Sequence, residues 1–360
     1  MSYILNEKLA DLTPYAVDTA GYPVRLDANE SFLSLPDDLR REVAKAVSAL
    51  AFNRYPDPKA ERLCRAFAAY YGIGAENVVA GNGSDELLYI LATCFTMAGD
   101  TIVTTVPDFS MYRFYGHLAE CRSVVYNKMD LELEPDALID LCQRERARLL
   151  IFSNPCNPTG RGLCRDAVRR VIEGVDALVV LDEAYMDFWD QSLLDEAGRH
   201  DNLIVLKTMS KAVGAAALRL GFAVTTPTLA DALRAAKSPY NVNALSSAAG
   251  EVLYTHPGYL DDCRAKIVAS RDALYRALLP LCARAGWRMS DSFANFLYIE
   301  MPEAESVFAF LQRAGVLVRC FDGALRITAG NEGENTALLT AVRAYLQEKR
   351  SVTPDASGAD

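Results

Sequence analysis

The 360-residue chain has only three histidines, His117, His200 and His256, too few and too scattered to build a metal site. Its nine cysteines (Cys64, Cys94, Cys121, Cys142, Cys156, Cys164, Cys263, Cys282 and Cys320) include no Cys-x-x-Cys pair. An odd set in apolar contexts reads as free thiols in a reducing cytoplasm rather than as a disulfide framework. Lysine and arginine form no block, and a formal net charge of -10 argues against a nucleic-acid surface. The N-terminus lacks the basic start and apolar core of a signal peptide. No apolar run is long enough to cross a bilayer, because Arg219 breaks the best candidate. A cytoplasmic protein with neither nucleic acid nor membrane as partner is the expectation.

What is present is a globular composition, 51% hydrophobic and 23% charged. Between about residues 75 and 225, short apolar runs alternate with helical stretches. Val78-Val-Ala, Thr101-Ile-Val-Thr-Thr-Val, Leu149-Leu-Ile-Phe-Ser, Ala177-Leu-Val-Val-Leu and Leu203-Ile-Val-Leu each end in polar residues. The pattern predicts an α/β fold with a mostly parallel sheet covered on both faces. After about residue 245 the texture becomes that of a smaller α+β unit, with Leu338, Val342, Tyr345 and Leu346 on one face of a late helix. The expected organisation is an N-terminal arm over 1–30, a small domain from 31–50 and 251–350, a large domain over 51–250, and a flexible tail at 351–360.

In open parallel sheets, ligands bind beyond the carboxyl ends of the strands, where the polar residues gather here. The Leu203 run leads into Thr208, Ser210 and Lys211, with Arg219 eight residues beyond the lysine. A desolvated lysine can form a Schiff base, and hydroxyls with an arginine can hold a phosphate. Together they suggest pyridoxal phosphate. Gly81-Asn-Gly-Ser-Asp-Glu enters a helix with Ser84 as expected N-cap, an anion site or an ordinary strand-to-helix turn. Asp182 follows five apolar residues, so its buried carboxylate needs a cationic or donor partner. A protonated pyridine nitrogen would serve, and so would a neighbouring arginine. Asn154-Pro-Cys-Asn-Pro-Thr-Gly is a stiff loop able to aim Asn157, and Phe109 offers either a face for a planar ring or a core side chain. Arg319 and Arg326, six residues apart between them, suit a carboxylate or phosphate, or surface salt bridges.

Taken together, these segments resemble fold-type-I pyridoxal-phosphate enzymes, specifically the histidinol-phosphate aminotransferase family. The resemblance rests on Leu26-Asp-Ala-Asn-Glu, Asn53-Arg-Tyr-Pro-Asp-Pro, Gly81-Asn-Gly-Ser-Asp-Glu, Asn154-Pro-Cys-Asn-Pro-Thr-Gly, Asp182-Glu-Ala-Tyr, Thr208-Met-Ser-Lys-Ala, Leu218-Arg-Leu-Gly and Leu325-Arg-Ile-Thr-Ala-Gly. It implies Lys211 as the lysine that binds the cofactor and moves the proton, and Asp182 as partner of the ring nitrogen. It implies Asn157 and Tyr185 on the ring oxygen, Phe109 stacked on the ring, and Ser84, Asp85, Thr208, Ser210 and Arg219 around the phosphate. Tyr55 would reach the phosphate of a partner subunit in a homodimer. Arg326 would hold a carboxylate or phosphate of the substrate, helped by Arg319, Asn29 and Tyr15. The chain departs from the family pattern after Asn29-Glu30, where Ser31-Phe-Leu-Ser-Leu-Pro stands in place of Asn-Pro-Tyr-Gly. Phe109 also stands where tyrosine is frequent, and the Arg319–Arg326 connection is short. An aromatic-amino-acid aminotransferase and a threonine-phosphate decarboxylase are the alternatives within the fold. A pyridoxal-phosphate-binding regulator that has lost catalysis is the alternative from another functional class.

Overall fold

The computed structural model describes residues 3–10, 12–13 and 21–352. A seven-stranded sheet runs in the order Val78–Gly81, Gly221–Val224, Leu203–Thr208, Leu178–Asp182, Leu149–Ser153, Thr101–Val106, Arg122–Asn127. Only Gly221–Val224 lies antiparallel to its neighbours; the other pairings are parallel. The apolar runs were expected to be covered on both faces, and alternate residues of each strand enter two different cores. Leu150, Phe152, Val179, Leu181 and Val205 enter one core. Leu149, Ile151, Val180, Ile204 and Leu206 enter the other. The period-two alternation of a strand produces this division directly.

A second, four-stranded antiparallel sheet is built from Arg319–Phe321, Ala324–Thr328, Phe296–Glu300 and Arg288–Met289. The helices Pro257–Ala285, Ala304–Arg313 and Glu332–Val352 pack with it around Leu278, Leu297, Leu311, Leu325 and Leu338. Helix Pro257–Ala285 has Pro257 in its first turn and stops at Gly286, whose φ of 74° few other residues adopt readily. It joins the two units, since Leu260 belongs to the first core and Leu274 to the second.

Residues 31–50, expected with the smaller unit, sit differently. Helix Asp37–Ser48 packs on helix Ala244–Tyr254, and Leu39 enters the large core. The chain before it does the reverse: Val24–Arg25 pairs with Val316–Leu317, and Leu26 enters the smaller core. The apolar contacts each segment can make, rather than its place in sequence, decide where it packs. The tail beyond residue 352 lies outside the described residues.

Candidate active site

Three parallel strands deliver Ser153, Asp182 and Thr208 to one end of the large sheet, where a cavity of about 560 Å³ opens toward the small sheet. Its lining includes Asn29, Ser84, Asp85, Phe109, Asn157, Asp182, Tyr185, Thr208, Ser210, Lys211, Arg219, Arg319 and Arg326. The structure thus brings together every residue singled out in the sequence except two. Tyr55 stands apart, 81% exposed, and Tyr15 lies outside the described residues.

Lys211 donates from Nζ to the carbonyl of Ala28 at 3.0 Å, and the amine lies 5.9 Å from the centre of the Tyr185 ring. Burial, and next the positive charge of Arg326, push its pKa down to about 8. Lys207, four residues earlier and within the strand that ends at Thr208, points away. Its amine is 2.5 Å from Asp187 and 3.9 Å from Glu183, behind the sheet. Among the described residues, only Lys211 offers an amine to the cavity.

Asp182 ends its strand on the cavity face, beside Ser153 on the neighbouring strand. Its Oδ1 accepts the N–H of Ala184 at 3.0 Å, and its Oδ2 accepts the hydroxyl of Tyr112 at 2.8 Å. Burial nevertheless pushes the carboxyl up to about 6, so the carboxylate lacks the cation that would fully stabilise it. Tyr112 was missed in the sequence. The signal was its position three residues past Phe109, as the second residue of helix Met111–Leu118.

Helix Ser84–Cys94 points its N-terminus into the cavity. Its N-cap is Gly83 rather than the expected Ser84, because the φ of 84° there excludes most side chains. Ser84 is therefore the first helical residue and presents its backbone N–H. The strands behind it approach closely: a Cβ on Gly221 would come 2.3 Å from the N of Ser84, and one on Gly83 would come 2.9 Å from the Arg219 guanidinium. Arg219 itself adopts a φ of 51°, a left-handed conformation that costs on the order of 1 kcal/mol. From there its guanidinium lies 3.4 Å from both Asp85 Oδ2 and Ser210 Oγ, while Thr208 Oγ1 donates to Ser210 Oγ at 3.0 Å. Free helix N–H groups, two hydroxyls and a guanidinium are the donors a phosphate takes.

On the opposite wall, Leu325 and Ile327 enter the small core, so the intervening Arg326 faces the cavity. It donates to Asn157 Oδ1 and, at 2.6 Å, to the carbonyl of Asp27. The short connection found in the sequence is a hairpin turning at Asp322-Gly323, and its register sets Arg319 directly opposite Arg326. Asn29 donates from Nδ2 to the Tyr185 hydroxyl at 2.9 Å and receives the Thr328 hydroxyl at 3.1 Å, tying the two units together.

Residues 23–342 match the family model for aminotransferases of class I and II. The chain belongs to that family. It is 35% identical over 350 residues to a histidinol-phosphate aminotransferase of Clostridium kluyveri, covering 96% of this chain and 99% of the relative. A second histidinol-phosphate aminotransferase, from Prosthecochloris aestuarii, is 36% identical over 347 residues, 94% of this chain and 96% of its own. Among solved structures, the histidinol-phosphate aminotransferase of Sinorhizobium meliloti in complex with pyridoxal-5'-phosphate shares the fold, with a TM-score of 0.85 at 22% identity. The match covers 95% of this chain and 98% of that one.

The donor set suits the cofactor that this fold implies. Lys211 can reach an aldehyde, Asp182 lacks a cation, and the Ser84–Arg219 cradle is shaped by glycines that a Cβ would fill. Among the described residues no cluster suits a metal ion, and no helix is long and apolar enough to cross a membrane. All nine cysteines are unbonded.

Proposed function

We propose that the protein is a pyridoxal-phosphate-dependent aminotransferase that moves an amino group between glutamate/2-oxoglutarate and histidinol phosphate/imidazole acetol phosphate, a step of histidine biosynthesis. The observation that carries the reading is the pair Arg319 and Arg326, directly opposite each other on the wall of the cavity that also holds Lys211 and Asp182. Like charges placed across a ladder repel, and an anionic substrate offsets that repulsion. Glutamate brings a carboxylate and histidinol phosphate a phosphate, and a guanidinium takes either in bidentate fashion.

Bound pyridoxal phosphate supplies an electron-withdrawing ring that stabilises negative charge on the amino-bearing carbon. The chain's part is to hold and to move protons. Lys211 Nζ, part neutral near pH 8, takes the proton from the substrate carbon and returns it. Asp182, with Tyr112 and the Ala184 N–H fixing both its oxygens, would keep the ring nitrogen protonated. Asn157 and Tyr185 would hold the ring oxygen, Phe109 would stack on the ring, and Ser84, Asp85, Thr208, Ser210 and Arg219 would hold the phosphate. Arg326, with Arg319 and Asn29, orients the substrate, a role Tyr15 is proposed to share. Spectroscopic titration with histidinol phosphate, phenylalanine and threonine phosphate tests the assignment. A response to histidinol phosphate with 2-oxoglutarate-dependent turnover is expected; carbon dioxide release from threonine phosphate, or a response to phenylalanine alone, overturns it.

The working unit is a cytoplasmic homodimer in this proposal, with Tyr55 serving the partner's phosphate. Its ring stacks at 4.6 Å on Tyr240, which is itself 41% exposed, so the pair presents an aromatic surface that water covers poorly. Nine unbonded thiols suit a reducing compartment. Light scattering is expected to give twice the chain mass, and Tyr55→Phe to weaken cofactor binding. A fully active monomer would remove the trans role.

A further inference from the structure

Behind the cavity wall, and lining none of it, lies a buried ion pair that the chemistry above leaves unused. Asp108 and Lys128 are 3.3 Å apart, with side chains 1% and 3% exposed. Neither belongs to the cavity lining. Asp108 Oδ1 accepts the N–H of Phe109 at 2.8 Å and the hydroxyl of Ser153. Its Oδ2 accepts the hydroxyl of Thr105 at 2.6 Å and the N–H of Ser153 at 3.2 Å. Lys128 Nζ donates to the carbonyl of Pro107 at 3.0 Å and to Cys156 Sγ at 3.2 Å. Ser153 Oγ in turn accepts the N–H of Asn157 at 3.2 Å.

Three separate segments meet at this pair: the turn at Pro107–Phe109, the end of strand Leu149–Ser153, and the loop that carries Cys156 and Asn157. Each contributes one residue to the cavity wall, namely Phe109, Ser153 and Asn157. A buried pair of charges seldom gains stability over apolar side chains of the same volume. What it does supply is direction, because several fixed donors must be satisfied at once by one carboxylate.

We infer that Asp108 and Lys128 are positioning residues: their pair fixes Phe109 directly, and Asn157 through Ser153, in the relation a planar ring requires before that ring enters. The inference rests on the cofactor reading proposed above. Preorganisation of this kind raises affinity by removing the ordering cost from the binding step. Because Asp108 acts on Asn157 through Ser153, losing either residue breaks the same chain of bonds, and losing both breaks nothing further.

The test is a binding cycle on the apoprotein with pyridoxal phosphate, followed by quenching of protein fluorescence. Asp108→Asn and Ser153→Ala are each expected to weaken binding about tenfold, and the double variant to bind no more weakly than the weaker single one. Steady-state rates should show kcat lowered, with a rise in the KM for glutamate that both single variants share, since Asn157 also accepts from Arg326. Losses that multiply in the double variant would overturn the inference, because the two residues then act separately. So would wild-type affinity in Ser153→Ala, which decides the matter alone if Asp108→Asn fails to fold. If the unsubstituted protein binds no pyridoxal phosphate, the cofactor reading itself falls, a result distinct from either.

Discussion

Replacing Lys211 with alanine is expected to lower turnover by about three orders of magnitude or more, the combined loss of a covalent anchor and of a proton carrier. Pyridoxal phosphate should still bind, because the cradle formed by Ser84, Thr208, Ser210 and Arg219 is left intact. Borohydride reduction of the wild-type protein with its cofactor, followed by peptide mass analysis, should find the label on Lys211; the variant should carry none. A label on Lys207 would sink the assignment, and so would turnover within tenfold of wild type. Lys207 is the control that matters, since it lies four residues before Lys211 but is committed to Asp187 and Glu183 behind the sheet. The pH dependence follows from the depressed amine. Only the neutral form attacks an aldehyde, and burial has brought its pKa to about 8. An ordinary lysine titrates near about 10.4. Covalent uptake of the cofactor should therefore rise with pH and level off above about 8, rather than climbing through 10.

How much of this was legible without coordinates depends on the range of the contact. Lys211, Asp182 and Thr208 could be found because strand ends in a parallel sheet converge, and a run of apolar residues marks the strand. Gly83 could have been found as well, since the Gly-Asn-Gly turn contains the residue that a positive φ needs. Ser84 drew attention instead because its type is a common cap. Asp108 and Lys128 carried no such signal. They lie twenty positions apart, on opposite sides of a helix and a strand, and either alone reads as a surface charge. Helix Asp37–Ser48 was misplaced for a related reason: an amphipathic stretch shows that it packs, not against what. The face-to-face setting of Arg319 and Arg326 needed the hairpin register, which depends on which residues turn at Asp322-Gly323.

Asp182→Ala is the second substitution with a large expected effect, and its losses should fall unevenly. Turnover should drop by about two to three orders of magnitude, as expected when a buried, preorganised charge is removed from the reacting ring. Cofactor affinity should fall much less, since the phosphate cradle and Lys211 remain. In the free protein Asp182 titrates near 6, pushed up by burial against the opposing help of Tyr112 and the Ala184 N–H. A cationic ring nitrogen favours the charged carboxylate, so binding of the cofactor should draw that pKa back down. The sign of the pH effect is then fixed. Below about 6 the free protein holds a neutral carboxyl, binding must release its proton, and affinity weakens as pH falls. The phosphate of the cofactor also titrates near about 6, so the wild-type profile alone is ambiguous. Comparing it with the Asp182→Ala profile separates the two: the phosphate contribution persists in the variant, and the carboxyl contribution disappears. Identical profiles in the two proteins, or wild-type turnover in the variant, would show that Asp182 does not face the ring nitrogen.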